Sequence, residues 1–284
     1  CYHRCNLSFS YPCIMKYIFL FLSLIFLFSC DNQPPKDYYT EKSSNSVKID
    51  TNSNKAINKA PKKVIKKNNL LTNQNVKQKL TDFGIKNKEE KILIRTEFGD
   101  IKIRLYKNTP LHRANFLLLA KSNFFDSTIF YRVIRNFMIQ GGNSDKNNML
   151  QKMAKIGLYR VPPEINLKNI HKRGALAMAV QEQYYKDPTK INLSSSPYNF
   201  YIIQKGPLSD TYMDKIEIKY NITIPESNRK IYRKIGGSPH LDNEYTVFGE
   251  VISGLSVVDK ISKQITNGKN RPLKNIYLSV EVLD

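Results

Sequence analysis

The chain has 284 residues and a formal net charge of +21. That length admits one large domain or two small ones, and the charge would suit a polyanionic partner, although the same Lys, Asn and Ile excess follows from AT-rich coding. All four cysteines, Cys1, Cys5, Cys13 and Cys30, fall in the first thirty residues, which excludes a disulfide, a thiolate metal site or a cysteine nucleophile from everything that follows.

Met15-Lys16 precedes an apolar run from Tyr17 to Phe28 that ends at Ser29-Cys30. A basic start, a short apolar stretch and a small residue before a cut describe a secretory signal, and the run is too short for a comfortable transmembrane span. Leu27-Phe28-Ser29-Cys30 resembles a lipobox, so residues 15–29 read as a lipoprotein signal peptide and Cys30 as the lipidated first residue of the mature chain. Residues 1–14 stand outside this scheme and are expected to be an upstream extension, with translation starting at Met15. The implied destination is a bacterial cell envelope, with a lipid anchor holding the protein at a membrane, facing the periplasm or the cell surface. From residue 30 to 91 the chain is mostly Lys, Asn, Ser and Thr, with too little apolar surface to offset its ordering entropy. It is expected to be a disordered tether, either a plain solvated spacer or one whose charge adds attraction to anionic headgroups. Only Val76 to Ile85 carries a helical pattern there, and a weak one.

The folded domain is expected over residues 92–284. Ile92 to Thr96 and Ile101 to Leu105 alternate apolar and polar residues around Phe98-Gly99-Asp100, the pattern of a strand, turn and strand. Thr109 offers an N-cap with Pro110 at the first helical position, and Ala114, Leu117, Leu118 and Lys121 follow at helical spacing to Asn123. Six further strands are predicted at Thr128 to Ile134, Phe137 to Gln140, Ala175 to Val180, Phe200 to Gln204, Val247 to Val251 and Ile276 to Leu283. A second helix is predicted from Gly254 to Gln264. Short, evenly spaced strands of this number predict a mainly β fold, a closed eight-stranded antiparallel barrel capped by two helices.

The most informative segment runs Phe130-Tyr131-Arg132-Val133-Ile134-Arg135-Asn136-Phe137-Met138-Ile139-Gln140-Gly141-Gly142-Asn143. Three more blocks follow: Gly174-Ala175-Leu176-Ala177-Met178-Ala179, then Asn199-Phe200-Tyr201-Ile202, then His240-Leu241-Asp242 with Tyr245-Thr246-Val247-Phe248-Gly249. Taken singly, Phe137 and Met138 would be core residues, Arg132 a surface charge and Gly141-Gly142 a turn. Together and in this order the blocks resemble the cyclophilin-type peptidyl-prolyl cis/trans isomerases over Lys91 to Asp284.

The resemblance implies an isomerase that rotates X-Pro bonds in envelope or secreted proteins and so assists their folding. Rotating an X-Pro amide breaks C–N resonance across a barrier of roughly 18–20 kcal/mol. In the twisted transition state the proline nitrogen regains a lone pair, so a donor that bonds it there, and not in the planar ground state, speeds the reaction. By resemblance Arg132 is that donor and Gln140 fixes the substrate carbonyl, forming the catalytic pair. Phe137, Met138, Tyr201 and Leu241 line the proline pocket, Ala179 and Asn199 contact the peptide backbone, and His240 and Tyr245 complete the substrate-binding set. The family pattern is departed from at His240, where many relatives carry tryptophan, and at Tyr245, where many carry histidine. Val180 replaces a frequent asparagine, and Tyr201 replaces phenylalanine.

Two insertions, residues 181–197 and 207–239, flank the implied groove; the second contains Pro225 to Gly237, which reads as a charged helix closed by glycine. His3, His112, His171 and His240 lie far apart in sequence without acidic or cysteine partners at metal-ligand spacing, and no Ser/His/Asp pattern is visible, so no metal and no cofactor is expected. Glu164, in Val161-Pro162-Pro163-Glu164-Ile165, reads as a buried capping carboxylate. A second reading keeps the groove as a non-catalytic proline-peptide binding module or chaperone. Val180, His240, Tyr245 and the insertions favour it, whereas retention of both Arg132 and Gln140 opposes it. A third, a nucleic-acid binder, conflicts with the signal peptide. Proline-containing polypeptides, a membrane reached through Cys30 and a monomeric state are the expected associations, with no nucleic acid.

Overall fold

Residues 70–146, 148–180 and 193–284 are described in the structure, a computed structural model of the chain. The expectations for Cys30, the signal peptide and most of the tether fall on residues 1–69, outside the described residues, as does most of the first insertion. In chain order the elements are β1 (Leu71–Thr72), α1 (Val76–Lys86), β2 (Lys91–Thr96), β3 (Gly99–Leu105), α2 (Pro110–Lys121), β4 (Thr128–Ile134), β5 (Met138–Asn143), α3 (Asn148–Ile156) and β6 (Gly157–Leu158). They continue with β7 (Ala175–Val180), β8 (Ser195–Ile203), α4 (Asp210–Tyr220), α5 (Glu226–Ile235), β9 (Val247–Ser253), α6 (Leu255–Ser262) and β10 (Tyr277–Leu283).

Eight strands close into an antiparallel barrel in the order β10-β2-β3-β9-β7-β8-β5-β4. The first hairpin shows why the alternating sequence folds this way. Ile92, Ile94, Ile101, Ile103 and Leu105 face inward and are fully buried, while Arg95, Lys102 and Arg104 face solvent. The Thr96 hydroxyl donates to Gly99 O (2.8 Å) and accepts from Phe98 N (3.1 Å), fixing the turn. Inside the barrel, Phe116 of α2 stacks on Phe125 (ring centroids 4.7 Å) and meets Phe200 of β8 edge-on (5.5 Å), while α6 adds Val257, Val258 and Ile261 to the same core. Each such side chain contributes about 1.5–3 kcal/mol by leaving water.

Three expectations need correction. The folded domain is not confined to residues from Ile92 onward but includes β1 and α1. α1 lays Val76 and Leu80 against Leu111 and Ala114 of α2, with Tyr159 and Val161, and β1 pairs in parallel with β6. The weak helical pattern at Val76 to Ile85 is thus a helix: its apolar stripe, Val76, Leu80 and Phe83, is narrow and stands among Lys and Asn, and tertiary burial stabilises it. Next, Thr109 does not cap α2 with its side chain. Glu164, more than fifty residues away, does so: its two carboxylate oxygens accept from Leu111 N (2.9 Å) and His112 N (2.8 Å), as its reading as a capping carboxylate anticipated. Finally, β8 begins at Ser195, five residues before the predicted start, because Ser195 bridges to Val161 and Val180 despite its loop-like Ser-Ser-Ser-Pro setting.

The 207–239 insertion contains two helices where one was expected. Ser209 caps α4 by accepting from Tyr212 N (3.2 Å), and α5 ends at Gly236, whose φ of 90° and contact with Gly206 leave no room for a Cβ. Leu208, Met213, Ile216, Ile224 and Tyr232 give the pair its own small core together with Ile170. Arg229 fastens the helices by pairing with Asp214 and, at 2.9 Å, with Glu217.

Candidate active site

The site is built on the β4–β5 hairpin. Arg132 stands directly opposite Gln140 in the ladder, and a register shift between Phe130 and Arg132 leaves Tyr131 as the extra residue of a bulge. Arg132 Nη1 donates to Gln140 Oε1 (3.2 Å), and Gln140 Nε2 donates to the Tyr131 hydroxyl (2.7 Å). The Gln140 amide is thereby held from both ends, and the guanidinium is aimed by it. Arg132 Nε and Asn199 Oδ1 are buried and have no hydrogen-bond partner among the described residues, an arrangement that costs free energy unless a ligand supplies the bond. The Gly-Gly step after Gln140 also has a physical cause: Gly142 has φ of 99° and a Cβ there would sit 1.9 Å from Tyr198 O of β8.

Beside this pair lies an apolar cluster. Met138, Ala177 and Tyr201 are buried in it, and Phe137, Ala179, Leu241 and Tyr245 pack on its partly open side. Tyr201 faces Gln140 across the β5–β8 ladder and Ala177 across β7–β8, so strand register alone brings the polar pair and the apolar floor together. Phe137 is fixed by its turn. Asn136 takes a left-handed φ of 60°, its N–H donates to Gln204 Oε1 (3.0 Å), and Gln204 N donates to Phe137 O (2.8 Å). Gln204 Nε2 and Arg173 both donate to Asp259, which ties the turn to α6.

Nine of the ten residues singled out in the sequence for catalysis and substrate contact fall on this hairpin, the facing strands and the Pro239–Leu241 turn beside them, and Tyr245, two residues before β9, packs on the same cluster. Sequence reasoning missed what supports them. The Tyr201 hydroxyl does not enter the pocket; it lies 3.0 Å from His171 Nε2, whose Nδ1 donates to Asp242 Oδ1 (2.9 Å). Tyr232 of α5 donates to the other Asp242 oxygen (2.5 Å). Tyr201 is buried, and its phenol is pushed well above its ordinary pKa by desolvation. His240 stacks on Phe137 (5.7 Å, 28°), and burial lowers its pKa to about 4. Its Nδ1 has no partner among the described residues.

Two histidines have acidic hydrogen-bond partners that are distant in sequence. Besides His171 with Asp242, His112 Nδ1 donates to Glu164 Oε2 (2.7 Å) and its Nε2 lies 2.9 Å from Ser195 Oγ. This has the connectivity of a Ser-His-acid triad, but Ser195 and His112 are both 0% exposed, so no substrate reaches the serine and the group works as a brace between α2 and β8. Separations of 52, 71 and 83 residues leave no local signal from which these partners could be found.

A closed eight-stranded barrel carrying an arginine–glutamine pair beside an apolar pocket defines a cyclophilin-like isomerase domain. The family model for the cyclophilin type peptidyl-prolyl cis-trans isomerase matches residues 91–282, and the chain belongs to that family. A Staphylococcus haemolyticus protein named as a peptidyl-prolyl cis-trans isomerase is 27% identical over 202 residues, covering 70% of this chain and 94% of its own length. A Staphylococcus aureus counterpart is 27% identical over 196 residues, or 68% and 92% of the two chains. Among solved structures, the Cryptosporidium parvum cyclophilin type isomerase crystallised with the dipeptide Ala-Pro is similar at 21% identity, covering 69% of this chain and 99% of its own, with a TM-score of 0.47.

Proposed function

We propose that the chain accelerates X-Pro rotation with Arg132 as the donor to the proline nitrogen and Gln140 as its positioning partner, and that it does so on envelope or secreted proteins. The observation that carries this is the ladder pair itself: a guanidinium held by a glutamine at the edge of the Phe137, Met138, Tyr201 and Leu241 cluster. The proline ring fills that apolar cluster. The guanidinium meets the nitrogen only when twisting has restored its lone pair, so the interaction favours the transition state over either planar isomer. Guanidinium stays charged at all working pH and needs no proton transfer. A charge-assisted bond of this kind contributes about 1.5–3 kcal/mol, or roughly ten- to a hundredfold in rate. Asn199, Ala179, His240 and Tyr245 bind the flanking peptide.

Refolding of a protein limited by a non-native proline isomer tests the assignment: the full chain shortens the slow phase, which takes tens of seconds or more unaided, in proportion to its concentration. An unchanged slow phase, with the protein bound to the refolding chain, would instead mark a non-catalytic binder. The location rests on Leu27-Phe28-Ser29-Cys30. Cys30→Ser is expected to release the protein from the membrane fraction of its host, and a variant that stays there contradicts the anchor.

A further inference from the structure

The ring stack at the pocket edge does not stop at the family's own positions. Tyr220, the last residue of α4, stacks on His240 (4.8 Å, 20°), and His240 stacks on Phe137 (5.7 Å, 28°). Three rings therefore run from the proline pocket onto the 207–239 insertion. Tyr220 remains 44% exposed, with the Lys219 ammonium 5.2 Å from its ring centroid, so a partner meets a half-exposed ring whose place is fixed. That fixing is strong for an insertion. Arg229 binds α4 through Asp214 and Glu217, and Tyr232 of α5 donates to Asp242, two residues beyond His240 and bonded in turn to His171 beneath Tyr201. Asn221, in a left-handed conformation, ends α4 directly after Tyr220.

Aromatic rings offered in a rigid, half-exposed array bind other rings at little entropic cost. The array is continuous with the pocket through Phe137. We propose that Tyr220 and His240 form a further subsite of the substrate groove, which selects polypeptides with an aromatic side chain flanking the isomerised proline. The proposal rests on the isomerase reading above. Within it, Tyr220 is a specificity-determining residue supplied by the insertion and lies outside the catalytic pair.

The test uses the full-length protein and three tetrapeptides, Ala-Ala-Pro-Phe, Ala-Phe-Pro-Ala and their common all-alanine control Ala-Ala-Pro-Ala, followed by exchange spectroscopy. The wild type is expected to favour phenylalanine on one side of the proline by about three- to tenfold in kcat/KM, the range of one aromatic pair. Tyr220→Ala should abolish that preference through KM while kcat and the all-alanine rates stay unchanged. Tyr220→Phe should keep it, which separates loss of the ring from loss of fold. A Tyr220→Ala variant that retains the preference, or that loses activity equally on all three peptides, overturns the proposal. No acceleration of any peptide by the wild type would defeat the isomerase reading itself and the subsite with it, and that outcome is visible before any variant is made.

Discussion

Acid should destabilise this domain through His240, by an amount the site geometry sets. The imidazole is packed between Phe137 and Tyr220, its Nδ1 has no partner among the described residues, and burial lowers its pKa to about 4 from an ordinary 6.5. The folded state thus resists protonation that the unfolded chain accepts. Between pH 6.5 and 4 the unfolded state binds more protons, so stability falls as pH falls; above 6.5 the contribution is complete, and below 4 no more is lost. A difference of two and a half pKa units corresponds to roughly 3 kcal/mol, a large fraction of the stability of a single domain. Urea unfolding of the wild type and of His240→Phe at pH 7.5, 6, 5 and 4 isolates it, because other titrating groups cancel in the difference. The wild type should lose roughly 3 kcal/mol relative to the variant across that range. Parallel curves for the two proteins would refute the argument that this ring is buried without a partner for its proton.

Glu164→Ala leaves Leu111 N, His112 N and His112 Nδ1 without their acceptor. Stranding several buried donors costs about 3–5 kcal/mol, which a urea melt would detect, and a loss below about 1 kcal/mol would show that the carboxylate is not the effective cap. Leu80→Ala tests whether α1 is part of the domain. Leu80 is fully buried, so truncation is expected to cost about 2–5 kcal/mol, whereas a residue in a tether would cost nothing.

The barrel was legible because its first hairpin alternates apolar and polar residues and its later strands are short apolar runs. Ile92 to Leu105 places five buried aliphatics on one face, and Thr128–Ile134 and Ala175–Val180 begin and end where the pattern predicts. The site was legible because four sequence blocks resemble the cyclophilin pattern in order, and in the fold ladder register converts an eight-residue spacing into the Arg132–Gln140 contact. What escaped was long-range support. Glu164 and Asp242 are ordinary acidic residues in sequence, and only folding brings them to His112 and His171. Tyr131 escaped because a bulge, not alternation, turns it toward Gln140. α4 escaped because Asp210 to Tyr220 buries only Met213 and Ile216, too narrow a stripe to stand out beside the charged α5.

The central claim is that Arg132 supplies the transition-state bond, and exchange spectroscopy on an Ala-Pro peptide measures it most directly. Wild type, Arg132→Ala and Arg132→Lys are compared at equal concentration, with peptide affinity followed by line broadening in the same samples. The account predicts acceleration by the wild type, a loss of about ten- to a hundredfold in Arg132→Ala with peptide affinity nearly unchanged, and incomplete recovery in the lysine variant, whose point charge lacks the fixed fork of donors. A folded Arg132→Ala protein that exchanges the peptide as fast as the wild type would contradict it.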